Sequence, residues 1–199
     1  LFIGVVMAVF CSLFIGTEYS DGTIRNKVVI GQKRTSIYLS NLIICALVSV
    51  VMCAAFFIAY LCIGIPLLGF FEMDIKQVLL FTLAVFVLAI AFASIFTLIS
   101  MLNHNKAITA VVCILLAFLL LFAGAQFNKM LNEPETNMGL MMTDNGQEYQ
   151  EIPNPNYLEG GERKVVQFLY DFVPGGQALQ CVSLEANNIT VLPAYSLII

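Results

Sequence analysis

Charge is what this sequence has least of. Of its 199 residues 60% are hydrophobic and 11% charged, and residues 37–71, 78–102 and 107–128 contain no charged side chain at all. Each run exceeds the roughly 20 apolar residues that cross about 30 Å of hydrocarbon as a helix. A water-soluble domain of this length would have to leave much of that surface in water, so a bilayer is the solvent. The net charge is −4 and a basic binding face is missing, so no nucleic-acid partner is expected.

Reactive groups are equally sparse. The only histidine, His104, sits in the polar turn Asn103-His104-Asn105-Lys106 without companions for a metal site or a catalytic base. Nothing matches GxxxxGK[ST], so no nucleotide site is expected in this chain. Cys11, Cys45, Cys53, Cys62 and Cys113 lie in apolar runs and Cys181 stands alone in a polar segment; without a CxxC pair they read as small apolar side chains. Met138, Met141 and Met142 have no Cys or His beside them and read as apolar anchors rather than a soft-metal site. Glu72 and Asp74 lack a nucleophile or base to work with. Asn188-Ile189-Thr190 fits a glycosylation sequon but abuts an apolar stretch. No metal, no cofactor and no catalytic residue is therefore expected here.

The complete spans also lack the carboxylates and histidines that ion-coupled carriers keep at mid-membrane. Their polar residues, Asn41, Ser49, Tyr60, Ser94, Thr97 and Thr109, suit helix packing better than substrate binding. Any transport must be powered from elsewhere.

These features predict an all-α polytopic membrane protein, a helical bundle of three complete spans at 37–66, 78–102 and 107–127. Two stretches, 1–16 and 188–199, read as truncated spans, so a fragment with about five of six spans is expected. The connections are a segment at 17–36, a short loop at 67–77, a tight turn at 103–106 and a long segment at 128–187. Arg25, Lys27, Lys33 and Arg34 crowd the first of these and Lys106 lies in the turn, whereas nine acids fall between Glu133 and Glu185. The excess of Lys and Arg puts 17–36 and 103–106 in the cytoplasm and 128–187 outside. Within that outer segment the stretch through Gly161, rich in Asn, Glu, Gly and Pro, reads as irregular loop. Val165, Phe168, Leu169 and Phe172 then mark one face of an amphipathic helix near 163–173, stopped by Pro174-Gly175-Gly176 and suited to the outer interface.

The segment 17–36 carries the most specific signal. Ser20 or Asp21 can N-cap a helix that begins near Gly22, Ile24 and Val28 share its face, and Gly31 can end it in a left-handed conformation. Thr35 and Ser36 can cap the span that follows. By pattern alone this is a short helix between two spans or simply a basic loop that fixes topology.

The run Glu18-Tyr19-Ser20-Asp21-Gly22-Thr23-Ile24-Arg25-Asn26-Lys27, followed by Lys33-Arg34 and a span, resembles the E-x-x-x-G-T-I-R-N segment of ABC-2 type transporter permeases, notably bacterial peptide-antibiotic and lantibiotic exporters. In that family the segment follows the second of six spans and holds the coupling helix. The resemblance implies a permease of the ABC-2 fold in the bacterial plasma membrane. It further implies contact between Glu18, Gly22, Thr23, Arg25, Asn26, Lys27 and an ATP-binding subunit that carries ATP and Mg. A second permease subunit, making a homo- or heterodimer, and membrane lipid complete the implied partners. The implied activity is export of an apolar or amphipathic substrate such as a peptide, lipid or drug. The alternative is a non-transporting sensor or immunity subunit whose outer domain binds a peptide. Gly31-Gln32 stands where a common variant of the motif has Pro before the second basic pair.

Overall fold

The computed structural model describes residues 2–69, 74–143, 146–184 and 189–199. Four helices in it are long and apolar enough to cross a membrane: Ile3–Ser20, Arg34–Leu67, Ile75–Leu102 and Lys106–Leu131. They run alternately up and down. α1 (Ile3–Ser20) is followed at one end of the bundle by α2 (Thr23–Val29), from which α3 (Arg34–Ala59) returns. α3 widens into a π-helical turn at Tyr60–Gly64 before the short α4 (Ile65–Leu68). The widening has a local cause, since Pro66 cannot donate to the Cys62 carbonyl and its ring crowds that group. α5 (Ile75–Leu102) and α6 (Lys106–Leu131) complete the bundle.

The core is built where α1 meets α5 and α6. Met7, Cys11 and Ile15 of α1 are fully buried together with Phe92 and Phe96 of α5 and Cys113 of α6, and the two phenylalanine rings stack at 5.9 Å. In lipid the hydrophobic effect does not drive helices together; close van der Waals contact does, which favours small side chains at the crossings. Gly4 is such a contact: a Cβ there would come within 3.1 Å of the Phe92 ring. Leu47, Val51 and Phe56 of α3 and Phe118 and Phe122 of α6 point outward, as suits a surface solvated by acyl chains.

At the far end the chain continues through a β-hairpin, β1 (Thr136–Thr143) and β2 (Gly146–Pro153), then α7 (Gly160–Phe172), α8 (Pro174–Ser183) and α9 (Val191–Ile198). The strands are antiparallel, with Met138 opposite Glu151 and Gly139 opposite Gln150. α8 lies directly on α6. Gly175 permits this, because a Cβ on it would overlap the Leu120 carbonyl oxygen. Polar groups hold the helices in place: Gln177 donates to the carbonyls of Asp171 and Phe172 and accepts from Ser196 of α9. Tyr170 donates to Asn128 of α6 at 3.1 Å. Tyr195 of α9 meets the rings of Phe168 and Phe172 edge-on at 5.8 and 5.9 Å.

Several local expectations differ from what is observed. The stretch read as irregular loop contains the hairpin, whose ladder satisfies backbone groups that the composition alone would leave to water. Pro174-Gly175-Gly176 ends α7 yet begins α8, since proline at the first helical turn sacrifices no hydrogen bond. α1 extends beyond residue 16 to Ser20, which places Glu18 and Tyr19 on a membrane helix. Neither Ser20 nor Asp21 caps α2; Gly22 occupies that position without a side-chain bond. Thr35 and Ser36 lie inside α3, behind Lys33 at the cap position. Of the polar span residues, Ser49, Ser94 and Thr109 bond carbonyls of their own helices, while Thr97 reaches the Cys11 sulfur at 3.9 Å. Glu72 and the first residue of the sequon, Asn188, lie outside the described residues, as do the side chains of Met141 and Met142.

Candidate functional site

The turn between α1 and α2 is set by backbone conformation. Gly22 has φ 71° and Gly31 φ 92°, values an L-residue reaches only at a cost. Two left-handed glycines thus bracket a two-turn helix that would not persist alone. Ile24 supplies its one buried anchor, at 8% exposure.

Polar contacts fix the rest. The Glu18 carboxylate accepts from Lys27 Nζ of α2 through Oε1 at 2.8 Å and from Asn41 Nδ2 of α3 through Oε2 at 2.9 Å. Tyr19 donates to the Met101 carbonyl of α5 at 2.8 Å, and its ring lies 5.0 Å from that of His104. Lys106 of α6 donates to Thr17 Oγ1 at 2.8 Å. Asn105 caps α6, its side chain accepting from the backbone N–H of Ala107 and Ile108. One end of every long helix is therefore tied to the last turn of α1 or to the α5–α6 turn beside it.

This arrangement divides the six residues singled out by the motif. Glu18 and Lys27 face each other and build the segment, with side chains 17% and 30% exposed. Gly22 makes the turn, and Thr23 is half-buried at its exit. Arg25 and Asn26 are exposed. Beside them stand two residues that the motif did not single out, Val29 and Ile30, at 77% and 82% exposure. Of the pair expected to share a face, Ile24 is buried and Val28 is exposed. The exposed apolar residues Val28, Val29 and Ile30 are thus flanked in sequence by exposed cations, Arg25 before them and Lys33 and Arg34 after.

An open groove of about 720 Å³ runs along α1 from Val5 and Val9 through Leu13 to Glu18 and Asp21. It is apolar for most of its length and acidic where it meets α2.

A family model described as ABC-2 family transporter protein matches residues 1–124, the stretch from α1 into the last third of α6. No curated protein and no solved structure gives a significant match.

Proposed function

Because the chain belongs to the ABC-2 family of transporter proteins, we propose that it is the membrane-spanning permease subunit of an ATP-driven exporter, with α2 as the element that docks on the ATP-binding subunit. Members of this family are membrane transport components, and membership implies an ATP-binding partner. The observation that carries the docking assignment is the presentation of Arg25, Val29 and Ile30. They are exposed on a short helix whose opposite side is anchored by Ile24 and by the Glu18–Lys27 ion pair. An apolar centre within a charged surround is the usual make-up of a protein interface.

The clustering of Arg and Lys at the α2 end supports a cytoplasmic location for it in the bacterial plasma membrane, with the hairpin, α7 and α8 outside. The charge-free spans and the groove along α1 support an apolar or amphipathic substrate, a peptide, lipid or drug, taken from the cytoplasm or the inner leaflet. A second permease subunit, the same or different, would complete the pathway.

Arg25→Glu tests this reading. Lys27, Lys33, Arg34 and Lys106 keep that end basic, so insertion and abundance should be normal. Co-purification with the ATP-binding subunit and transport should both fall, since truncating or opposing a buried interfacial charge costs about 2–5 kcal/mol. Full binding and full transport in the variant would replace the docking role with that of a loop that fixes topology. A native protein that inserts but recruits no ATP-binding subunit would favour a sensor or immunity subunit.

A further inference from the structure

Asn41 lies about two turns into α3 and is 1% exposed. Its Nδ2 donates to Glu18 Oε2 and leans on Met101 Sδ at 3.6 Å. Its Oδ1 is, among the described residues, the one buried side-chain oxygen or nitrogen with no hydrogen-bond partner. A buried acceptor left open raises the energy of the arrangement that holds it. It is satisfied only if a donor comes to it.

The surroundings indicate which motion would bring one. Glu18 is shared between Lys27 on α2 and Asn41 on α3, and the next residue, Tyr19, binds the Met101 carbonyl on α5. α2 is otherwise attached to the bundle mainly through Ile24 and its flanking glycine turns. A displacement of α2 therefore pulls first on Lys27, and through Glu18 on Asn41. The Lys27 ammonium has three donors on a flexible stem and shares the Glu18 carboxylate with Asn41, which makes it the donor we assign to the open Asn41 oxygen.

We infer that Asn41 is a positioning residue that passes displacement of α2 to α3 and α5, and that its open oxygen is filled by Lys27 in a second arrangement of the bundle. The inference rests on α2 being the docking element, and it adds the route by which docking reaches the opposite end. The role of Asn41 is a bistable polar contact of the kind that can carry coupling between distant sites.

The test uses full-length permease in lipid nanodiscs with its ATP-binding subunit, followed by hydrogen–deuterium exchange without nucleotide and after trapping with ATP and vanadate. In the native protein trapping should alter exchange in α2 and also in α7 and α8 at the far end. In Asn41→Leu, which removes the amide at similar bulk, the α2 response should persist while the far-end response falls by about tenfold, within the range of ordinary coupling energies. ATP-binding subunit retention should be unchanged, an outcome that a merely structural role would not give. Asn41→Ala removes the same amide with a smaller side chain and should decouple the far end similarly if Asn41→Leu accumulates poorly. A far-end response of native size in either variant, with α2 still responding, overturns the inference alone. An α2 that does not respond in the native protein overturns the docking reading and the inference with it.

Discussion

Gly22 offers a test in which the backbone and the docking surface give different answers. Its φ of 71° lies in the left-handed region, and a Cβ built there meets nothing within 4 Å. Substitution is thus penalised by conformation and not by packing within the chain. A left-handed L-residue costs about 1–2 kcal/mol; asparagine tolerates the region, whereas a β-branched side chain is its poorest occupant. Gly22→Asn, Gly22→Ala and Gly22→Val should accordingly weaken binding of the ATP-binding subunit in that order. If α2 is only marginally stable the whole cost appears in affinity, and about 1–2 kcal/mol corresponds to roughly 5- to 30-fold. The assay is titration of the purified ATP-binding subunit onto nanodisc-embedded permease variants, with insertion checked separately. Asparagine and valine are similar in bulk. Equal losses for these two, with alanine milder than both, would mean that a steric clash at the docking surface dominates and would refute the backbone argument.

Two further outcomes follow from other parts of the fold. Gly175→Ala should lift α8 from α6, because backbone meets backbone at Leu120 and neither can yield as a side chain would; a cost of at least about 1–3 kcal/mol is expected. It should appear as a lower melting temperature in detergent and faster hydrogen exchange in α8, and unchanged values for both would show that the contact relaxes freely. For orientation, a cysteine at Met138, 73% exposed on β1, in a cysteine-free background should react with an impermeant thiol reagent added to intact cells, whereas one at Gln32 should not. The reverse pattern would invert the proposed topology.

The long helices were legible because lipid imposes a simple rule: a segment without charge and of sufficient length spans, and its neighbours with Lys and Arg mark the ends. The glycines at 22 and 31 were legible for the turns they permit, although the identity of the N-cap was not, because the cap at Gly22 is made by the backbone. The hairpin was missed for a physical reason. Thr136–Thr143 and Gly146–Pro153 show no clean apolar alternation, the pattern by which a half-buried strand is read. Asn145-Gly146 is a favoured hairpin turn pair in the sequence, although the pairing of Thr143 with Gly146 sets the register one residue earlier. α8 was hidden by its own glycines, which ordinarily weaken a helix but here allow its close approach to α6. At the candidate site the motif singled out residues from both sides of the segment without separating them. Only packing shows that Glu18 and Lys27 turn inward and that Val29 and Ile30, apolar residues in a basic stretch, face out.

The central claim is that the exposed side of α2 meets the ATP-binding subunit. The most direct measurement is site-specific photo-crosslinking in native membranes, with benzoylphenylalanine placed at Ile30 or, as a lipid-facing control, at Phe118 of α6, which is 57% exposed. The account predicts a crosslinked product of the permease with the ATP-binding subunit from position 30 and none from position 118. Active transport with no such product from Ile30 or from the adjacent Val29 would contradict it.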